Sequence, residues 1–295
     1  MHDRSDALGL SGTVTTLLRD LIHEQLGLMY EPYQFDQVAD RLAPLVVGRG
    51  LGSFMDYYYR LKYSPEPGDW LGVMDALAVQ ETYFWREIDQ LRAVVTCVVP
   101  GLVRALRGRT LRIWSVPCAT GEEPLTIAML LAEAGWFGRA PIEVLASDAS
   151  PRAIERARAG RYGRRSFRNL PPELRERYFV PHEGDWSVVP DLHRRVNYDI
   201  VNLMADDQVS RHATAPVIVC RNVFIYFSDR SIRRAVGVFE QQMPSPGYLC
   251  IGAAESLLRR TTTFELQDIG GAFMYVKGGI PDDDSRPVPS VESVS

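Results

Sequence analysis

A chain of 295 residues with 46% apolar content can bury one large core or two modest ones. Its 33 basic residues are outnumbered by 37 acidic ones, giving a net charge of −4, which excludes a general nucleic-acid binder with its basic excess. The four cysteines form no CxxC pair and the five histidines no HxxxH or HExxH spacing, so no metal site is expected.

The opening "MHDRSDALGL" lacks the basic and apolar regions of a signal peptide, and residues 1–10 read as disordered. Residues 11–90 have helical periodicity. "TTLLRDLIHEQLGL" puts Leu17, Leu18, Leu21, Ile22 and Leu26 on one stripe. "FDQVADRLAPLVVGRG", "SFMDYYYRLKY" and "WLGVMDALAV" follow, the first two closed by glycine or proline. A small domain of about four or five helices is expected.

Residues 91–280 read as a second domain. From Thr110 on, strand-like runs alternate with helices: "LRIWSV", "EPLTIAMLLAEAG", "IEVLASD", "SPRAIERARAG", then "YDIVNL", "APVIVCRN", "DRSIRRAVGVFEQQM" and "GYLCIGAAES". Near-continuous apolar strands in this alternation predict an α/β fold with a mostly parallel sheet covered on both faces. "TFELQDIGGAFMYVKG" adds a C-terminal antiparallel hairpin. The polar, proline-rich tail 281–295 reads as disordered. Cys97, Cys118, Cys220 and Cys250 each lie in an apolar run and are expected to be buried free thiols in a reducing, cytoplasmic setting. No apolar run approaches the roughly 20 residues of a membrane span, so membrane insertion is not expected.

In such sheets ligands sit beyond the carboxyl ends of the strands. The first strand ends in the bend "PCATG", followed by Glu122 and Glu123; the second ends in Asp148; Asn202 and Leu203 follow the third, Arg221 and Asn222 the fourth. A carboxylate ending strand two suits a ribose diol. Pro117 and Ala119 stand where a dinucleotide fingerprint has glycines. A pyrophosphate beside two carboxylates would be repelled, each pair costing about 4 kcal/mol at moderate dielectric. A cationic nucleoside such as S-adenosylmethionine (SAM) is favoured, since a carboxylate can take its ammonium. The alternative is that both glutamates merely suit the helix dipole.

The ordered set "QETYFWRE" (80–87), "RIWSVPCATGEEPLTIAM" (112–129), "LASDASPRAIERARAGRY" (145–162), "NLPPELRERYF" (169–179), "NL" (202–203) and "VIVCRNVFIYF" (217–227) resembles the CheR-type chemotaxis receptor glutamate methyltransferases, from about Leu17 to Lys277. The resemblance implies a helical domain before a Rossmann-like SAM-dependent methyltransferase domain, with S-adenosylhomocysteine as product. It implies that Thr82 and Arg86 contact the methionine end of the cofactor, Glu123 its ammonium and Asp148 its ribose. Asn202 and Leu203 would border the adenine, and Arg221 with Asn222 would close the pocket. Gln80 stands where the family often has asparagine, and Tyr226 matches a tyrosine beside the methyl group. Arg86 and Tyr226 are the candidate catalytic residues, Arg86 to orient an acceptor carboxylate or to serve only as an interdomain salt bridge, Tyr226 to bond the acceptor, face the sulfonium or simply pack.

The family's acceptor is a glutamate in the cytoplasmic helices of a receptor, methylated to an ester by a monomeric enzyme. A SAM-binding module without turnover, or a methyltransferase for another protein or a small molecule, would keep most of these residues. The family's second helix is usually basic, whereas "FDQVADRLAPLVVGRG" offers only Arg41 and Arg49. Some members grip a receptor peptide with a small β-flap; here that flap is expected within Val180–Val201 and looks short. Residues 152–177 hold nine arginines against three glutamates, either a solvated face or a substitute surface for an acidic acceptor.

Overall fold

The structure, a computed structural model, describes residues 8–258 and 263–278. Residues 1–7 and the tail 281–295, both expected to be disordered, lie outside the described residues.

The helical layer comes first. Helix α1 (Gly12–Leu26) starts where Ser11 accepts from the Val14 amide and stops at Gly27, whose φ of 76° is left-handed. Helices α2 (Phe35–Gly48), α3 (Phe54–Tyr63) and α4 (Asp69–Leu77) complete it. Their apolar faces close one core around Leu18, Ile22, Phe35, Leu42, Phe54 and Leu61. Buried Asp69 ties the layer together, meeting Arg49 at 2.7 Å and Arg60 at 2.8 Å.

The expected boundary at residue 90 falls inside α5 (Ile88–Ala93), which runs through a π turn (Val94–Val98) into α6 (Val99–Leu106). This helix packs on the sheet, and the core of the second domain already includes Phe84. Helical geometry also overturns one cysteine expectation: "VVTCVV" buries only one side, so Cys97 is exposed while Cys118, Cys220 and Cys250 are buried.

The main sheet has seven strands in the order β6-β2-β1-β7-β8-β10-β9. They are β1 (Leu111–Ser115), β2 (Ile142–Asp148), β6 (Val196–Ile200), β7 (Val217–Val219), β8 (Gly247–Cys250), β9 (Phe264–Ile269) and β10 (Ala272–Lys277). The first five in spatial order are parallel, and β10 runs against both neighbours. Alternation sends Ile113 and Val217 into one core and Trp114 and Ile218 into the other. Helices α7 (Glu122–Glu133), α8 (Pro151–Ala159), α11 (Asp206–His212) and α12 (Asp229–Gln242) cover the faces, with the short α9 (Pro172–Tyr178) and α10 (Pro190–His193) between α8 and α11 in the chain.

A second sheet pairs β3 (Arg161–Tyr162) with β5 (Asp185–Val188) and β5 with β4 (Phe179–His182), all antiparallel. The flap therefore spans 161–188 and not Val180–Val201, because the chain leaving α8 supplies a strand and residues 196–200 belong to the main sheet. It turns at Glu183 and Gly184 and rests on a ring cluster in which Phe84 lies 4.9 Å from Phe179 and 5.2 Å from Phe167.

The layers are stapled on both sides of the carboxyl ends of the strands. Leu28 and Phe227 form an antiparallel bridge, and the Met29 amide donates to the Tyr226 carbonyl at 2.8 Å. Across from it, Asp75 accepts from Ser150 Oγ at 2.5 Å and from the Arg152 amide at 3.1 Å.

Candidate active site

The bend after β1 is a tight one. Ala119 has φ 46° and Gly121 φ 96°. A Cβ at Gly121 would come within 3.0 Å of both Ala157 and the Tyr162 hydroxyl, so glycine is required there. The bend wraps Asp148, whose Oδ2 accepts from the Ala119 amide and Oδ1 from the Ser150 amide, both at 2.9 Å. Burial pushes the Asp148 carboxyl above its ordinary range, against these two hydrogen bonds.

The paired glutamates part company because neighbours on a helix point about 100° apart. Glu123 lines the cleft, accepting from Ser115 Oγ and Arg221 Nε, each at 2.7 Å. Glu122 turns inward, 2% exposed, and accepts from Thr120 Oγ1 at 2.7 Å and Ser166 Oγ at 2.9 Å. Burial raises its carboxyl too. One carboxylate, not two, faces a ligand.

Two adjoining hollows share Val79, Pro117, Asp148 and Asn222 and make one elongated cleft. The first is walled by Leu26, Leu28, Met74 and Leu77 of the helical layer and by Val201, Leu203 and Val223 of the sheet. Asn202 and Tyr226 also line it. The second is polar and holds Thr82, Arg86, Glu123 and Arg221. An apolar slot, a carboxylate at mid-length and a charged far end match the adenine, ribose and amino-acid parts of SAM in order.

Several expected contacts differ in detail. Gln80 lies outside the cleft lining, with Ser150 Oγ at 3.5 Å and Arg156 Nη1 at 3.1 Å. The Asn202 side chain is committed to the Gln25 carbonyl and the Met204 amide, at 2.8 and 2.9 Å. Arg221, its side chain 1% exposed, spends its other two nitrogens on the Glu87 and Arg86 carbonyls, both at 2.9 Å. Arg86 itself donates to the Glu81 carbonyl at 2.8 Å. Asn222 sits in the left-handed region, φ 59°, a conformation asparagine tolerates.

Sequence reasoning passed over Glu87 and Glu255, which both bind this loop. Asn222 Nδ2 reaches Glu87 at 3.3 Å, and the Asn222 amide reaches Glu255 at 2.9 Å. Glu255, in "GAAES" one turn beyond β8, was signalled only by its place at another strand end.

The model of the CheR methyltransferase all-alpha domain matches residues 16–77, and that of the CheR methyltransferase SAM-binding domain residues 80–271. The chain belongs to the CheR methyltransferase family. "Chemotaxis protein methyltransferase 2" of Vibrio cholerae is 33% identical over 262 residues, covering 88% of this chain and 91% of that protein. "Chemotaxis protein methyltransferase" of Escherichia coli is 31% identical over 271 residues, 89% of this chain and 91% of that one. "Probable biofilm formation methyltransferase WspC" of Pseudomonas aeruginosa is 34% identical over 221 residues, 75% of this chain and 51% of that protein. SAM is thus the cofactor of this CheR-family chain, and the α/β fold with its helical first domain is the family's own. Among the described residues no helix is long and apolar enough to cross a membrane.

Proposed function

We infer that this protein transfers the methyl group of SAM to the side-chain carboxylate of a glutamate in a chemoreceptor-type protein, leaving a methyl ester. The observation that carries this reading is the make-up of the cleft: among the described residues, no histidine, cysteine or lysine lines it. An alcohol, amine or thiol acceptor needs a proton removed. A glutamate, with an ordinary pKa near 4.3, is already an ionised nucleophile at neutral pH. Transfer then needs only alignment of carboxylate oxygen, methyl and sulfur, a form of catalysis that can supply roughly 7–11 kcal/mol.

In this reading Glu123 takes the cofactor's ammonium, Asp148 its ribose, and Asn202 with Leu203 borders the adenine. Thr82 and Arg86 meet the methionine end, with Arg221 and Asn222 closing the pocket. Arg86 orients the acceptor carboxylate with Tyr226 in support. Gln80 acts indirectly, by steadying Ser150 and Arg156.

The acceptor is an acidic helical segment met in the cytoplasm. Charge supports the 152–177 region as its landing surface. Arg152, Arg164 and Arg165 are exposed and form no salt bridge among the described residues, whereas Arg161, Arg168 and Arg177 pair with Glu183, Glu81 and Glu133. Arg168 stacks 3.6 Å over the ring of Tyr83, which lines the polar end of the cleft.

Tritiated SAM incubated with the protein and a receptor cytoplasmic domain from the same genome tests the reading. Protein-bound label released as methanol by mild base is the expected result; base-stable label on the protein would show another acceptor group.

A further inference from the structure

The loop that carries Arg221, Asn222 and Tyr226 is short, and its shape is unusual. It leaves β7, passes a left-handed Asn222 and ends in a 3₁₀ turn, Phe224–Tyr226. Such a backbone persists only where its surroundings over-determine it. Four of the contacts that hold it come from one side chain, Glu255. Glu255 Oε2 accepts from the amides of Asn222 at 2.9 Å and Gly252 at 2.7 Å. Oε1 accepts from the amides of Phe224 at 2.6 Å and Ile225 at 3.3 Å.

Four amides on one carboxylate explain why the residue is glutamate. Both oxygens must accept, so an isosteric glutamine would turn an NH2 group towards two backbone N–H donors. Gly252 gives independent support. A Cβ there would stand 2.6 Å from Asn222 Nδ2, 2.9 Å from Glu255 Oε2 and 3.0 Å from the Asn222 amide. Glycine is needed at 252 to let the carboxylate and the loop meet. Glu87 holds the other side, joining Asn222 Nδ2 at 3.3 Å to the Ala253 amide at 3.1 Å.

We propose that Glu255 is a positioning residue for methyl transfer, clamping the Asn222–Ile225 backbone so that Tyr226 stands at the fixed place in the cleft where cofactor and acceptor meet. Glu255 touches neither reactant, since it is absent from the cleft lining. Its effect passes through the loop, and misplacing a reacting partner by about 1 Å can lower a rate about 100-fold. The proposal rests on the reading of this cleft as the transfer site.

The test compares wild type with Glu255→Gln, Glu255→Asp and Gly252→Ala, using tritiated SAM and a receptor cytoplasmic domain. Glu255→Gln is expected to lower kcat about 10- to 100-fold at saturating SAM. S-adenosylhomocysteine affinity, measured by calorimetry, should fall by a smaller factor than kcat, because the Asp148 and Glu123 contacts are untouched while only Asn222 of the cofactor pocket is loosened. Hydrogen exchange should quicken at 222–225 and not in the sheet. Gly252→Ala should copy this pattern, and Glu255→Asp, which keeps both acceptor oxygens, should recover part of the rate. Wild-type kcat in folded Glu255→Gln overturns the proposal, as does a loss of melting temperature with kcat intact. If wild type methylates no carboxyl acceptor, the reading of the site falls and the proposal with it.

Discussion

Arg221 and Glu123, on the fourth and first strand ends of the cleft, meet at 2.7 Å with the arginine side chain only 1% exposed. In the proposed reading Glu123 holds both this arginine and, on binding, the cofactor's ammonium. Glu123→Ala should weaken SAM and S-adenosylhomocysteine by about 1.5–3 kcal/mol, the scale of a hydrogen bond to a charged group. It should also cost about 3–5 kcal/mol of stability, because Arg221 is left charged and buried. Calorimetry and chemical denaturation read the two effects separately. NAD, lacking a cation to offer this carboxylate, should bind more weakly than either ligand; tighter NAD binding would refute the cofactor contact.

Arg86 leans on a backbone carbonyl and sits 5.8 Å from the Tyr83 ring, with about a quarter of its side chain exposed. Removing it strands no buried charge. Arg86→Ala should lower kcat at saturating SAM about 10- to 100-fold while stability changes by about 1 kcal/mol or less. Unchanged turnover in a folded variant would reassign Arg86 to holding the linker.

The Tyr226 hydroxyl has no hydrogen-bond partner among the described residues, and 37% of the residue is exposed. Its hydroxyl is therefore available to the acceptor. Tyr226→Phe should raise the barrier by roughly the value of a hydrogen bond to a charged group, about 1.5–3 kcal/mol, or about 10- to 150-fold in kcat. Loss confined to Tyr226→Ala would make the ring the working part.

Glu122 offers a pH test. Its folded-state carboxyl is raised by burial above the ordinary 4.5, so the folded protein holds a proton that the unfolded chain gives up. That contribution favours folding at acid pH and is lost as pH rises from about 4.5 through the raised value. Glu122→Gln keeps both hydroxyl contacts, since Thr120 and Ser166 can donate or accept. Its stability relative to wild type should therefore rise between pH 4.5 and neutrality, as read by urea midpoints. A constant difference would mean that Glu122 does not titrate there.

If the 152–177 arginines steer an acidic acceptor, methylation should weaken with salt, as the Debye length falls from about 10 Å at 0.1 M to about 3 Å at 1 M. Arg164→Glu with Arg165→Glu should raise the acceptor KM and leave SAM affinity alone. The β3-β5-β4 sheet does exist here, so deleting the receptor's C-terminal peptide is the complementary control. Full activity on the truncated receptor, with salt sensitivity retained, is the outcome expected of arginine-led docking; lost activity or indifference to salt would count against it.

The strand-end residues were legible because the alternation of apolar runs places strand ends, and strand ends place ligands. Asp148 and Leu203 needed no more than that, whereas Thr82, in the linker before Ile88, came only with the family resemblance. Other features depend on side-chain direction, which sequence spacing does not give. Glu122 and Glu123 look equivalent in the chain, and only the helix turn separates them. Asn202 lines the apolar end of the cleft, and spacing gives no sign that its side-chain amide is held by the Gln25 carbonyl. The flap escaped because two of its strands flank α9 (Pro172–Tyr178), and β3 is only two residues long. Glu255 escaped because a glutamate that accepts four backbone amides carries no motif; three of its partners lie about 30 residues earlier in the chain.

The bridge from Leu28 to Phe227 has a consequence for modularity. The backbone leaving α1 is paired to the residue following Tyr226, and four residues of the helical layer wall the apolar end of the cleft. The two halves are separable as sequence segments and inseparable as a cofactor site. Exchanging residues 1–79 for the same region of a relative would transplant part of the nucleoside pocket, not only a docking module. Such a chimera should inherit SAM affinity from both parents, and recombination within the family is constrained to carry Leu26, Leu28, Met74 and Leu77 along with the sheet they close.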